Sequence, residues 1–426
     1  MKRYFSCIDC GTTYDDITSV RFACDCGGLL DLVQPLEELK KLDLKKIFDD
    51  RLSAHDLPDA SGVWRFRELL FDAPENKIIS RFEGNTRLYP AKKLSDELGI
   101  ELRFKHEGEN PTGSFKDRGL NVAMTAGYIA GAEKFVCAST GNTSAGLASY
   151  AASRGLTGIV IIPEGKISYS KLSQAMAYGA KVLQIQGDFD VAMKLVQEIA
   201  ENFEKTGIYV LNSLNPFRVE GQKTIVFEIL QQLHWRAPDW IVAPGGNLGN
   251  TSAFGKAISE AYELGLIDKK PRLAIIQAEG ANPFYAAYKA GFPTSHEPVT
   301  ADTIATAIKI GNPVSYPRAV RSITETDGVV EQVTDTEIMD AKAAIDGCGI
   351  GCEPASATTL AGIRRLRADG TIQDGEQVIG ILTGHILKDP DATTGYHLGQ
   401  LDGIESAHAN KPQSVEASLE AVIAAI

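Results

Sequence analysis

No stretch of this 426-residue chain approaches the roughly 20 consecutive apolar residues that a membrane-spanning helix needs, so no transmembrane segment is expected. Positive charge is in the minority: 43 Lys and Arg stand against 55 Asp and Glu, a formal net charge of -12. There is no basic stripe of the kind that tracks a phosphate backbone, which argues against nucleic acid as a partner. The segment from Met1 to Asp16 carries cysteines and acids instead of a basic stretch followed by an apolar run, so it does not read as a signal peptide. Cysteine is sparse, with seven in the whole chain. An odd number without an export signal fits a reducing cytoplasm, with thiols free or metal-bound. Internal repeats and low-complexity tracts are also missing. What remains, 44% hydrophobic and 23% charged residues, is ordinary for a globular protein, and the length suits two or three domains.

Four cysteines gather in the first 30 residues. Cys7 and Cys10 form C-x2-C, Cys24 and Cys26 form C-x-C, and Gly11, Gly27 and Gly28 sit beside them. Four thiolates so paired can hold a tetrahedral zinc ion in a small ribbon. The second pair is tighter than the usual spacing, and a turn-rich arm of reduced cysteines is the other reading. In both cases the arm is structural, because no open ligand position is visible.

From about residue 78, short apolar runs alternate with stretches of helical periodicity, which is the pattern of a βαβ architecture. Strands are expected at 102–105, 134–138, 158–162, 181–185, 208–211, 239–243, 272–277 and 377–382. Helices are expected at 115–130, 143–154, 170–178, 189–204, 219–233 and 250–264. Ile159-Val160-Ile161-Ile162 is apolar on both faces, as a covered parallel strand requires. The last 25 residues, rich in Ala and Glu, read as a terminal helix.

Four loops at the ends of these strands carry chemistry. Glu107 to Gly119 reads EGENPTGSFKDRG. Pro111, Thr112 and Gly113 favour a turn, and Ser114 stands where a helix cap belongs. Lys116 then falls in the first helical turn, where the macrodipole repels a cation. A lysine so placed tends toward the neutral amine that attacks carbonyls. A solvated lysine, or one paired with Asp117, is the plainer alternative for that residue taken alone. Ser139 to Gly146 reads STGNTSAG, and its free N–H groups with Ser139, Thr140, Asn142 and Thr143 suit a carboxylate. Pro244 to Asn250 reads PGGNLGN, a glycine turn before a helix that has the form of a phosphate cradle. It lacks the spacing of the nucleotide-binding motifs. Leu382 to Pro390 reads LTGHILKDP. Its Thr383 stands at a strand's carboxyl end, where a hydroxyl can meet an aromatic nitrogen.

NPTGSFKDRG, STGNTSAG, PGGNLGN and TGHILKDP, in this order over residues 78–390, resemble the loops of fold-type II pyridoxal-phosphate enzymes, and most closely those of the threonine synthase family. The resemblance implies two doubly wound open parallel-sheet α/β domains with the cofactor in the cleft between them, as in the tryptophan synthase β chain, plus the cysteine arm. The expected division is an arm over 1–34, a large domain over 35–112 and 209–400, a small domain over 113–208, and a C-terminal tail over 401–426. Lys116 would carry pyridoxal 5'-phosphate as a Schiff base and move protons. Asn142 would meet the cofactor's phenolic oxygen, Gly245, Gly246, Asn247, Leu248 and Gly249 its phosphate, and Thr383 its ring nitrogen. Ser139, Thr140 and Thr143 would bind the substrate carboxylate. Ser213 and Arg218, in NSLNPFRVEGQK, would bind a substrate phosphate, with Asn212 and Lys223 assisting. The resemblance gives Glu353 a structural place near the cofactor's edge. The implied reaction turns O-phospho-L-homoserine and water into L-threonine and phosphate in a cytoplasmic homodimer. A threonine or serine dehydratase and a β-replacing synthase are the rivals within the fold, and a non-catalytic amino-acid binder is the rival outside enzymology.

Overall fold

The computed structural model describes residues 2–165, 169–187 and 189–426. Three short strands, β1 (Tyr4–Cys7), β2 (Thr13–Tyr14) and β3 (Leu30–Val33), make an antiparallel sheet ordered β2-β1-β3. Next come β4 (Leu88–Pro90) and β5 (Glu101–His106), which begin the larger sheet. Then β6 (Lys134–Ala138), β7 (Thr157–Pro163), β8 (Lys181–Ile185) and β9 (Ile208–Val210) build a smaller sheet ordered β8-β7-β6-β9, parallel throughout. The chain returns to the larger sheet with β10 (Trp240–Pro244), β11 (Arg272–Ala278), β12 (Val329–Val333) and β13 (Gln377–Leu382). Its order is β12-β11-β10-β13-β5-β4, parallel except for β4, which runs antiparallel to β5. These are the two open α/β sheets anticipated. Within these two sheets the strands not anticipated, β4 and β12, lie at the two edges of the larger one; the three short strands of the arm were not anticipated either. An edge strand need not be apolar on both faces, and Val329–Val333 reads VVEQV.

The helices that shape the cleft are α1 (Lys116–Ile129), α2 (Asn142–Ser153), α3 (Tyr169–Ala177), α4 (Phe189–Glu201), α5 (Pro216–Gln232) and α6 (Gly249–Glu263). After them come α7 (Tyr316–Glu325), α8 (Asp335–Asp346) and α9 (Pro354–Ala368). Helix α5 starts three residues before the expected 219. The Asn215 side chain accepts from Phe217 N at 3.0 Å and Pro216 fills the first helical position, a start signal that apolar periodicity overlooks. The expected terminal helix shrinks to Leu419–Ala425, which has no buried residue. Pro412 and the polar residues around it stop it from extending upstream.

Helices α1 and α5 touch backbone to backbone. A Cβ on Gly221 would lie 2.0 Å from the Arg118 carbonyl oxygen, and one on Gly119 would lie 2.8 Å from that of Arg218. Only glycine permits this crossing, which holds the start of one helix beside the start of the other.

Beneath the crossing lies a charge cluster closed to water. Arg118 donates Nε to Glu107 Oε2 at 2.7 Å and Nη2 to Glu228 Oε1 at 2.9 Å. Lys105 Nζ reaches Glu228 Oε1 at 2.5 Å, and Arg65 Nη2 reaches Glu228 Oε2 at 3.2 Å. Thr86 adds its N–H to Glu228 and its hydroxyl to Glu107. Burial alone would raise the Glu228 carboxyl, but Arg118, Lys105 and Arg65 outweigh it and hold the group well below the usual carboxylate range. Glu107 is likewise depressed, chiefly by Arg118 working against burial.

The cysteine arm is part of the core. Phe5, Phe22, Leu30 and Leu32 are buried in one cluster with the small-sheet residues Phe135 and Tyr209. Phe5 meets Phe217 edge-on at 5.5 Å. Asp31 pairs with Arg318 at 3.1 Å, and Gln34 donates to Glu220 at 2.8 Å.

Glu228→Gln should lower stability by about 3–5 kcal/mol, because it strands buried cations without their counter-charge. Denaturant unfolding at neutral pH measures the loss. The stabilisation from Glu228 is complete above the ordinary carboxylate range and is lost as pH falls through its depressed value, so the gap between wild type and variant should narrow in acid.

Candidate active site

The loop before α1 and the loop after β13 are stitched together. Phe115 N donates to Thr383 O at 3.0 Å, and His385 N donates to Gly113 O at 3.0 Å. Gly113 takes a left-handed φ of +80°, which lets the turn close. The helix begins at Lys116 itself, and Ser114 Oγ accepts Lys116 N at 3.3 Å. Ser114 therefore caps from one position further out than a standard N-cap. Thr383 is thus brought to the loop that presents Lys116.

Lys116 is half-buried. Removal from water pushes its ammonium down to about 7, Arg218 adds to the fall, and Glu353 opposes it. The alternative pairing with Asp117 does not occur. Asp117 is fully buried, and its carboxylate accepts Thr112 N at 2.7 Å and Thr112 Oγ1 at 2.6 Å. Burial raises that carboxyl to about 7 against those two hydrogen bonds.

The loop after β6 holds Ser139 and Thr140, and the first turn of α2 holds Asn142 and Thr143; all four are half-buried. Helix α2 opens with no side chain capping it, because its N-cap is Gly141. Its first N–H groups have no partner among the described residues, which makes them a candidate seat for an anion. Asn142 reaches across the cleft and donates Nδ2 to Glu353 Oε2 at 3.1 Å.

The turn after β10 makes a second seat. Leu248 adopts a left-handed φ of 61° and no side chain caps α6. The N–H groups of Gly246, Asn247, Leu248 and Gly249 have no partner among the described residues. Gly245 departs from the expected role: its N–H is donated to Ile276 O at 2.8 Å, so it shapes the turn and offers no donor to a phosphate. A Cβ there would lie 2.6 Å from Ile275 Cγ2. Ser315 Oγ lies 4.0 Å from where a Cβ on Gly249 would stand, and it is buried without a hydrogen-bond partner. A tight glycine turn, free amides and an orphaned hydroxyl fit the phosphate of a bound cofactor.

A third anion seat lies at the start of α5. Arg218 is 5% exposed, and one of its donors goes to Leu211 O at 3.0 Å. Its buried Nε has no partner among the described residues. Burial lowers this guanidinium to about 10. Glu220, two residues on, is not its ion-pair partner, because Glu220 accepts from Lys223 at 2.6 Å and from Gln34 at 2.8 Å. Lys223 is therefore not available to a substrate: it is fully buried between Glu220 and Glu260. Asn212 is likewise engaged, holding Ala138 through its N–H at 3.1 Å and its carbonyl at 3.3 Å. Ser213 is half-buried beside it.

Two groups in the cleft escaped the sequence reading. Lys388 contacts the Gln174 side chain, and Gln174 donates to Thr112 O at 3.2 Å. Ser356 Oγ lies 2.9 Å from Thr383 Oγ1. Neither residue stands out in the sequence, since each acquires a partner only by folding.

A lysine depressed to about 7 is neutral above that pH, unlike ordinary lysines. Modification of cofactor-free protein by an amine-directed reagent should therefore label Lys116 with a midpoint near pH 7, read by peptide mass spectrometry. A midpoint near that of surface lysines would contradict the burial argument.

Residues 79–384 match the family described as pyridoxal-phosphate dependent enzyme. The chain is 47% identical over 388 residues to a threonine synthase of Methanocaldococcus jannaschii, covering 91% of this chain and 93% of that one. It is 42% identical over 425 residues to a threonine synthase of Methanosarcina acetivorans, covering 99% and 98%. Among solved structures, Escherichia coli threonine synthase superposes with a TM-score of 0.68 at 19% identity, over 96% of this chain and 95% of that one, a likeness of fold. By its matched residues and its near full-length relatives, the chain belongs to the pyridoxal-phosphate dependent enzymes and, within them, to the threonine synthase family.

Proposed function

We propose that this chain converts O-phospho-L-homoserine and water to L-threonine and inorganic phosphate, by γ-elimination followed by β-addition of water, as the last step of threonine biosynthesis. The observation that carries the reading is the buried Arg218 with its unpartnered Nε, a third anion seat beyond those for a cofactor phosphate and an amino-acid carboxylate. A dehydratase acting on free threonine or serine has no use for that seat.

Bound pyridoxal 5'-phosphate would supply an electron sink for the carbanion at the substrate's Cα. The amides from Gly246 to Gly249 hold its phosphate, with Gly245 shaping the turn. Asn142 donates to its phenolic oxygen, and Thr383 faces its ring nitrogen. Lys116 is the covalent attachment point. As a free amine, Lys116 Nζ would take the proton from the substrate's Cα and return protons later. A depressed lysine is suited to both directions near neutrality. Ser139, Thr140, Thr143 and the open start of α2 hold the α-carboxylate. Ser213 and Arg218 hold the phosphate that leaves, and fixed donors there stabilise charge as the bond breaks. Closing of the cleft keeps water out until addition.

The four N-terminal cysteines belong to the same reading as a structural zinc site. Their sulfurs all lie within 4.8 Å of one another, and Cys7–Cys26 and Cys10–Cys24 are each 3.6 Å apart. With Zn–S bonds of about 2.3 Å, a tetrahedral site has edges of about 3.8 Å, so little movement is needed. All seven cysteines are free, in keeping with a cytoplasmic location. Assembly as a homodimer completes the proposal by analogy with the family, and light scattering tests it.

Purified holoprotein should release phosphate from phosphohomoserine and leave free threonine unchanged. Lys116→Ala should lose the visible cofactor band. Arg218→Ala should keep that band and raise KM for phosphohomoserine by about tenfold or more, since a charge-assisted contact contributes about 1.5–3 kcal/mol. Unaltered kinetics in Arg218→Ala would remove the basis of the substrate assignment. Elemental analysis should find zinc equimolar with the chain and none in a Cys10→Ser/Cys26→Ser double variant.

A further inference from the structure

Glu353 occupies the N-cap position of α9, yet its side chain makes no capping hydrogen bond. A residue in that place normally spends its side chain on its own helix. This one turns the other way, into the cleft, where it is 4% exposed. Space for it exists because residue 384 is glycine: a Cβ there would stand 2.4 Å from the Glu353 carboxyl carbon. The carboxyl meets two groups that arrive from opposite sides. Asn142, at the start of α2, donates Nδ2 to Oε2 at 3.1 Å, and Thr383, at the end of β13, lies 3.3 Å from Oε1.

The consequence follows from counting protons. A side-chain amide has two donor hydrogens and one acceptor oxygen, and its two ends are close in shape. As a carboxylate, Glu353 has no proton to give and is satisfied only by the nitrogen end. It therefore fixes Asn142 with nitrogen toward the cleft floor, one hydrogen committed and the other available. Ser356 does the same for the hydroxyl. Gly384 N donates to Ser356 Oγ at 3.0 Å, and Ser356 Oγ stands 2.9 Å from Thr383 Oγ1. Ser356 Oγ accepts from Gly384 N, and among the described residues Thr383 Oγ1 is the acceptor that its own proton can reach; with Ser356 donating, the Thr383 proton is left for Glu353 Oε1 or for a bound ligand. The long contact to Glu353 Oε1 does not bind that proton firmly.

We infer that Glu353 and Ser356 are positioning residues: they make the Asn142 amide and the Thr383 hydroxyl present hydrogens, not lone pairs, to the bound cofactor's ring. This rests on the reading that Asn142 and Thr383 face the phenolic oxygen and ring nitrogen of pyridoxal phosphate. Neither positioning residue takes part in bond making. Their effect lies in the electronic state of the ring, so a spectroscopic signature reports it and a change of stability does not.

The test uses holoprotein and measures two quantities apart from turnover: the dissociation constant for pyridoxal phosphate after resolution and reloading, and the wavelength of the visible cofactor band. Glu353→Ala should weaken cofactor binding by about tenfold, the worth of a hydrogen bond to a charged group, and shift the band. Glu353→Gln should restore both, because its amide oxygen can accept from Asn142 without the charge. Ser356→Ala should shift the band with a smaller loss of affinity. Wild-type affinity and wavelength in Glu353→Ala, or an unshifted band in Ser356→Ala, overturns the inference. So does a Gln variant as impaired as the Ala one, which would assign the effect to charge. Should Glu353→Ala fail to fold, the Gln and Ser356 variants decide the matter. Asn142→Ala and Thr383→Ala serve as the reference. If they also leave affinity and wavelength unchanged, the assignment of the cofactor site itself has failed, whereas a change in them alone condemns only the positioning roles.

Discussion

Two residues past the lysine at the mouth of α1 lies a guanidinium with no path to water. Arg118 is held by Glu107 and Glu228, and through Glu228 it is tied to Lys105 and Arg65. These groups come from β5, the loop that follows it, α1, α5 and the segment before β4. Taking such charges out of water costs several kcal/mol each, so the cluster is tolerable only if every partner arrives in its place. The geometry of the cleft depends on that all-or-none condition. Helix α1 cannot slide along α5 without opening the cluster, and the glycine contact at Gly119 and Gly221 leaves no slack for a tilt. Lys116 and Arg218, each at the first turn of its helix, are thereby set beside each other.

On this frame three loops each bring a different chemistry. Helices α2 and α6 start without capping side chains, which leaves backbone donors open where most helices would close them. Helix α5 starts with a cap and a proline but places a buried arginine in its first turn. The same feature, a helix start facing a cleft, thus recurs at the three seats proposed for a carboxylate and two phosphates. The lysine among them is pushed toward neutrality first by its removal from water and then by Arg218. Arg218, which favours an anion at its own helix start, therefore also adds to what burial does in freeing an amine for chemistry.

Much of this was legible in the residues. Covered parallel strands such as Thr157–Pro163 announce themselves as apolar runs, and the turns after them carry glycine, serine and asparagine for reasons of backbone geometry. The four motif loops were readable because each sits at a strand's end, where open α/β sheets gather ligand groups. Other features were not readable. Edge strands β4 and β12 lack the two-sided pattern. The end of the chain has the composition of a helix and yet forms only Leu419–Ala425, since a proline and polar residues precede it and nothing packs on it. Lys223 and Asn212 are near neighbours of Arg218 in sequence, but folding spends them on Glu220, Glu260 and the Ala138 backbone. Gly245 belongs to the glycine turn by sequence and to the sheet by hydrogen bonding. The partners of a buried polar group come from distant segments, and local pattern does not contain them.

The anchoring of α1 by ions instead of oil has a thermal corollary. Water's hold on charged groups slackens as temperature climbs, so the toll for sequestering Arg118 and Glu228 shrinks under heat, while the gain from apolar contact levels off. A crevice braced in this way keeps its dimensions best where warm surroundings loosen other cores, and chilling is the direction in which its brace is weakest.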